Sequence, residues 1–250
     1  MKPASITEDN PSFDVLDRYP IDCWPWPRIA VFVPMAGNWG RADELWPTFS
    51  EIARSGVRIF YHPADITAVV RNRVAEGFLT TEYTHLLMLD SDQRHPTDIV
   101  QKMARRVIEK PERRIVAGLY YNRRPPFEPL AWKRGNDGLY YQFVEWGSGL
   151  IEDIDLVGTG VLLIHREVFE TLERPWFAYT YNGIQEQKAD YVYPTEDVYF
   201  CQKARTAGFD ICIDTSFESP HASSSWVTKR TYEEYRDRQE ETKTYEEITE

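Results

Sequence analysis

The chain has 250 residues, 42% of them hydrophobic and 14% aromatic, enough apolar material for one large packed domain, which excludes general disorder. Its formal net charge of -11 excludes a chain built for sequence-independent adhesion to nucleic acid, where clustered positive charge does most of the binding, although a local basic patch could override the balance. The three cysteines, Cys23, Cys201 and Cys212, are odd in number and widely spaced; this fits neither a disulfide framework nor a zinc cluster and suits a reducing compartment.

Residues 1–27 are polar and then rich in Pro and Trp, with no helical or strand period, and read as an extended arm anchored by its aromatics. The opening MKPASITEDNPSFD has no apolar leader-like core and no run reaches membrane-spanning length, so a soluble, cytoplasmic protein with no membrane span is expected. The regular domain is expected over 28–226. IAVFVPM, from Ile29 to Met35, is a continuous apolar run of strand length. Asp43 to Ser55 has helical spacing, with Leu45, Phe49, Ile52 and Ala53 on one face and Pro47 assigned to the first turn; Gly56 ends it. Val57 to Tyr61 predicts a second strand and Ile66 to Leu79 a helix carrying Arg71 and Arg73. Leu86 to Leu89 is a buried strand that stops at Asp90-Ser91-Asp92. Thr97 to Glu109 is an amphipathic helix and Ile115 to Leu119 a short strand, so the first half reads as right-handed βαβ units on a parallel sheet. The second half is less regular. Leu139 to Val144 is strand-like, Val161 to His165 a buried strand, Arg166 to Leu172 a short helix, and 175–194 a loop dense in aromatics. Thr195 to Ala207 predicts a helix closed by Gly208, and Asp210 to Asp214 one more strand. From 227 to 250 the chain is almost wholly charged, a solvated helix or tail.

Four stretches carry polar groups beyond structural need. Asp90-Ser91-Asp92 puts two carboxylates where a strand opens into a crevice, the place for a ligand in an open α/β sheet, and hard divalent cations take carboxylate and phosphate oxygens together. The same three residues are also good turn chemistry. Glu196 and Asp197 open a helix behind Thr195, an N-cap residue, where acids complement the helix dipole; a carboxylate facing a crevice there is equally placed as a general base. His221 follows the last strand as Asp92 follows the central one, so the two could meet around one ion, although a lone histidine is more often a satisfied structural residue. Arg71 and Arg73 are forks suited to phosphate, or simply the wet face of a helix. Gly158-Thr159-Gly160 is wrongly spaced for a dinucleotide fingerprint or a P-loop and reads either as close approach to a ligand or as a bulge. Tyr120 to Arg124 places further donors after a strand end.

Taken together, the strand IAVFVPM, the helix end VVRNRVAEGFL, THLLMLDSD as D-x-D, LVGTGVLLIHREVFE, TEDVYFCQKARTAGF and the histidine of ESPHAS resemble, in order and spacing, a GT-A fold glycosyltransferase close to the family 2 type and to short phage or bacterial members. The resemblance covers about residues 28–224. It implies a Rossmann-like, mixed but mainly parallel α/β sheet flanked by helices. It implies Asp92 as direct ligand of Mn²⁺ or Mg²⁺, with Asp90 on the ribose or the ion's shell and His221 completing the metal site. Ser91, Pro34, Arg71, Arg73, Gly158, Thr159 and Gly160 would border a nucleotide-sugar donor, a UDP-sugar being the expected kind. Asp197 matches the position of the family's catalytic base and Glu196 would support it, with inversion at the anomeric carbon. The acceptor stays open between a cell-surface glycan, a lipid carrier, a protein and, for a phage-type enzyme, a modified base in DNA reached along Arg113-Arg114 and Arg123-Arg124.

Two departures from the family pattern bear on this. The acidic residue of the second strand has no certain counterpart, Asp65 being the nearest, and the acceptor loop is unrecognisable unless Gln185 and the aromatics of 175–193 replace it. A dehalogenase-type phosphatase, a non-catalytic glycan-binding module of the same shape and a nucleotidyltransferase are the rival readings.

Overall fold

The structure, a computed structural model, describes residues 27–35, 42–54, 56–63, 66–144, 147–180, 195–223 and 226–249. The expected arm up to residue 26 with Cys23, the loop 36–41, Asp65, Gln185 and the aromatics beyond residue 180 in the expected loop lie outside the described residues.

In chain order the elements are β1 (Ile29–Met35), α1 (Ala42–Arg54), β2 (Arg58–Pro63), α2 (Thr67–Leu79), β3 (His85–Leu89), α3 (Ile99–Glu109), β4 (Ile115–Gly118), β5 (Ala131–Arg134), β6 (Tyr140–Gln142), β7 (Leu150–Ile154), β8 (Leu156–Val157), β9 (Val161–His165), α4 (Arg166–Thr171), α5 (Glu196–Thr206), β10 (Ile211–Asp214), β11 (His221–Ala222), β12 (Trp226–Val227) and α6 (Lys229–Thr249). A seven-stranded sheet has the order β2-β1-β3-β9-β4-β10-β7. β2, β1, β3, β4 and β10 run one way; β9 opposes its neighbours β3 and β4, and β7 opposes β10. The mixed, mainly parallel sheet flanked by helices is therefore the observed fold, with one correction to its first half. β3 and β4 are not neighbours, because β9 is hydrogen-bonded between them.

Alternation along the strands explains the layers. Leu86 and Met88 of β3 face one core together with Ala30 and Phe32, packed under α2, α4 and α5. Leu87 and Leu89 face the other, with Val31 and Val33, under α1 and α3. Side chains one residue apart point to opposite faces, so a central strand covered by helices on both sides has to be apolar throughout. Each large side chain so buried contributes about 1.5–3 kcal/mol.

Three local readings change. Pro47 lies inside α1, past the first turn, because the helix begins at Ala42. β7 has a half-exposed, acidic sequence, LIEDI, and no expected counterpart; as the sheet's outer strand it is buried on too few sides to show an apolar run. The charged C-terminal stretch is the helix α6, fixed to the domain by Tyr232, which is buried and stacked on Tyr121 at 6.1 Å between centroids. Among the described residues no helix is long and apolar enough to cross a membrane.

Candidate functional site

The C-terminal ends of β1, β3 and β4 and the start of β9 converge on one edge of the sheet. There a cavity of about 240 Å³ is lined by Pro34, Thr67, Val70, Arg71, Asp90, Ser91, Asp92, Tyr120, Arg123, Thr159, Glu196 and Asp197. α2 and α5, which pack on the same face of the sheet, bring Arg71 and the two acids of α5 to it.

Arg71 is the centre of the polar network. It is buried, and its Nη2 donates to Asp90 Oδ1 at 3.0 Å while Nη1 approaches Met88 Sδ at 3.5 Å. Its Nε lies 3.6 Å from Glu196 Oε1. Burial works against the charge of Arg71, but Asp90 and Glu196 more than offset it and hold the guanidinium protonated. Glu196 has its carboxyl pushed above the usual range by burial and by the adjacent Asp197.

Asp92 faces the other side of the turn. Its Oδ2 is 3.0 Å from Arg123 Nη1 and 3.2 Å from His221 Nε2. Burial opposes ionisation of Asp92, yet the hydrogen bond from His221 and the Arg123 charge bring the carboxyl below its ordinary value. His221 Nδ1 lies 2.8 Å from the Tyr121 carbonyl, which only accepts, so this nitrogen carries its hydrogen. With Nδ1 holding its own hydrogen, the contact of Nε2 with the carboxylate oxygen is met by a second proton on the ring or by a cation in that proton's place. Burial lowers the pKa of His221, but Asp92 overrides it and the net shift is upward.

That arrangement fits a divalent cation held by Asp92 and His221, with the second imidazole nitrogen fixed by a carbonyl as is usual for a metal-bound histidine. Asp90 is directed to Arg71 instead, and among the described residues no three His, Cys, Asp or Glu side chains form a ready metal cluster. A cation here would draw its remaining oxygens from substrate and water.

His95, which sequence reasoning left unassigned, braces the turn. Its Nε2 donates to the Asp90 carbonyl at 2.9 Å and its Nδ1 lies 3.0 Å from Ser219 Oγ, joining the Asp-Ser-Asp turn to the segment that carries His221. The pairings Arg94 N to Pro220 O at 2.9 Å and Ala222 N to Asp92 O at 2.8 Å complete the join. Burial lowers the pKa of His95 from 6.5 to about 4 and that of His85, on β3, to about 3. Both rings are neutral in the fold and gain a proton on unfolding below pH 6.5. Their contribution to stability is complete above that pH and falls as pH drops toward the folded values, by about 1.4 kcal/mol per unit for each ring. Urea unfolding at pH 7 and pH 5 is expected to show a loss of about 2 kcal/mol from each ring over this interval, partly offset by His221, whose raised pKa works the other way; stability that rises toward pH 5 would show that the two rings ionise in place.

The glycines Gly158 and Gly160 do not line the cavity, which only Thr159 of this trio reaches. Tyr120 is pressed against both, since a Cβ on either would lie 2.8 Å from Tyr120 Cζ, and Gly160 also has Gln93 against it, whose Nε2 a Cβ would meet first. Gly160 N donates to the Tyr120 hydroxyl at 2.9 Å, and the Gly160 carbonyl accepts from Asp90 N at 2.9 Å. The glycines thus allow this close packing at the cavity's edge. Gly160→Ala is expected to cost about 1–3 kcal/mol by overpacking against Gln93 and Tyr120, read as a lowered urea midpoint; an unchanged midpoint would mean that both side chains move freely.

Arg73 is also placed elsewhere. Residues two apart on a helix do not share a face, and Arg73 borders a separate cavity with Asn72, Glu76 and Arg174. Nor do the other arginine pairs form one track. Arg113 and Arg114 precede β4 and are tied to Glu152 and Glu167, whereas Arg123 follows β4 at the cavity. Thr195 holds the N-cap position of α5 without a capping side-chain bond; its hydroxyl instead donates to Asp197 Oδ1, which also accepts from Val198 N at 2.9 Å. Thr67 is a lining residue that no motif marked; Val70 falls in VVRNRVAEGFL and Tyr120 opens the 120–124 stretch, and both reach the cavity.

No protein-family model matches this sequence, and no curated protein matches it. Among solved structures the chain is similar to A197 from STIV, at 20% identity over 78% of this chain and 86% of that one, with a TM-score of 0.52. More distant neighbours include a glycosyltransferase involved in glycosylation of the major capsid of PBCV-1 (16% identity, 76% of this chain and 82% of that one, TM-score 0.40). Another is GalNAc-T7 with UDP, GalNAc and Mn²⁺ (10% identity, 86% and 48%, TM-score 0.48). The likeness to A197 speaks for a shared fold.

Proposed function

We propose that this chain is a metal-dependent, inverting glycosyltransferase of the GT-A type, taking a sugar from a nucleotide-sugar donor. The observation that carries the reading is the convergence on one cavity of Arg71, Asp90, Asp92 and Asp197, from three separate stretches of sequence, with His221 touching Asp92. A turn or a helix cap has no need to meet the others.

Asp92 and His221 would hold Mn²⁺ or Mg²⁺, which when bound neutralises charge on the leaving diphosphate. Asp90, oriented by Arg71, would contact the ribose or the ion's water shell. Pro34, Ser91 and Thr159 border the donor. Asp197 takes the proton of the acceptor hydroxyl as its oxygen forms a bond to the anomeric carbon. The bond from that carbon to the phosphate oxygen breaks, and its electron pair leaves with the nucleoside diphosphate. One base and attack opposite the leaving group give inversion. Glu196, drawn to Arg71, holds the start of α5 against the donor site.

The test is a thermal-shift panel of nucleoside diphosphates and their sugars, each with Mn²⁺ or with chelator, since a ligand that binds only the native state raises the melting temperature by mass action. The expected result is a metal-dependent rise with one base, uracil first among them. No rise with any of them overturns the donor site and favours the binding-module reading.

A further inference from the structure

The cavity carries more negative than positive charge, four carboxylates (Asp90, Asp92, Glu196, Asp197) against the guanidiniums of Arg71 and Arg123. Left so, it repels a diphosphate. Arg71 is committed: it is buried, bonded to Asp90 and beside Glu196. Arg123 differs. Its side chain is 46% exposed and pairs with Asp92 Oδ2 at 3.0 Å, the same oxygen that faces His221 Nε2 at 3.2 Å. The backbone beneath it is pinned, with Ser223 Oγ donating to the Arg123 carbonyl at 3.1 Å and Arg124 N to Asn122 Oδ1 at 3.1 Å. The side chain can swing while its base stays still.

We propose that Arg123 is a diphosphate-binding residue held in reserve on Asp92: it yields Oδ2 to the divalent cation and turns its guanidinium to the phosphate oxygens of the donor. This rests on the nucleotide-sugar reading above. A second positive charge on Asp92 repels the guanidinium, and the planar fork of arginine matches phosphate oxygens better than a single carboxylate oxygen. The exchange makes cation and diphosphate help one another to bind, because each favours the position of Arg123 that the other needs.

Calorimetric titration of the full chain with Mn²⁺ alone, then with UDP, GDP, ADP and CDP at saturating Mn²⁺, tests the exchange in wild type, Arg123→Ala and Arg123→Lys. Arg123→Ala is expected to bind Mn²⁺ alone several-fold more tightly, its competitor being gone, and the diphosphate roughly tenfold less tightly, the loss of one charge-assisted contact. Arg123→Lys should fall between on both. Opposite signs are the signature. Both affinities falling together would mean that Arg123 only supports the shape of the site, and either affinity staying unchanged would likewise overturn the exchange. A wild type that binds no diphosphate overturns the nucleotide-sugar reading itself, whereas binding equal in wild type and Arg123→Ala leaves that reading standing and removes Arg123 from it.

Discussion

Asp92→Ala is expected to remove Mn²⁺-dependent donor binding and to lower transfer by at least about a thousandfold, since the charge stabilisation tied to a bound cation amounts to several kcal/mol. The fold should survive the change. The turn is held by backbone and by His95, through Ala222 N on the Asp92 carbonyl at 2.8 Å and His95 Nε2 on the Asp90 carbonyl at 2.9 Å, and neither bond uses the lost carboxylate. Arg123 is partly exposed and takes water in place of its partner. What disappears is the oxygen that Arg123 and His221 share, leaving the imidazole alone at the proposed cation site. Calorimetry with Mn²⁺ and the donor found in the panel decides the matter, and normal metal-dependent binding in this variant would sink the assignment of Asp92.

The features legible in the sequence are those that a short run of residues determines. Leu86 to Leu89 announces a strand buried on both faces, and the abrupt change to Asp90-Ser91-Asp92 marks where it leaves the sheet, so the cavity's edge could be placed from nine residues. Strand order could not be read in this way. Nothing local to Val161–His165 says that it runs antiparallel between β3 and β4, because each of its hydrogen-bonding partners is far away in sequence. The glycine pair was ambiguous for the same reason: what Gly158 and Gly160 press upon, Tyr120 and for Gly160 also Gln93, lies far earlier in the chain. Arg71 and Arg73 look equivalent as letters, yet helical rotation sends one into the cavity and the other away from it. Arg123 had a weaker signal, its position just past the end of β4, and its pairing with Asp92 needed the fold. The role of His95 was hidden too, since only burial, a long-range contact with Ser219 and a local one with the Asp90 carbonyl distinguish it from a surface histidine.

Asp197→Asn is expected to keep donor binding and melting temperature while lowering transfer by about 10²- to 10⁴-fold, the usual contribution of a positioned general base. The neighbouring acid is a poor alternative. Glu196 is buried and lies 3.6 Å from Arg71 Nε, so taking up a proton there would weaken the charge pairing that steadies both the helix start and the donor side. Asp197 lines the cavity, and its Oδ1 is anchored by Val198 N and the Thr195 hydroxyl, which fixes the direction of the carboxyl group. Asparagine keeps an oxygen for those two donors, so the cap and the rotamer persist, but it has no negative charge with which to accept the acceptor's proton. The measurements are transfer kinetics and metal-dependent donor binding on one preparation. Wild-type turnover in Asp197→Asn would remove it as the base. Loss of donor binding alongside turnover would show instead that Asp197 shapes the donor pocket.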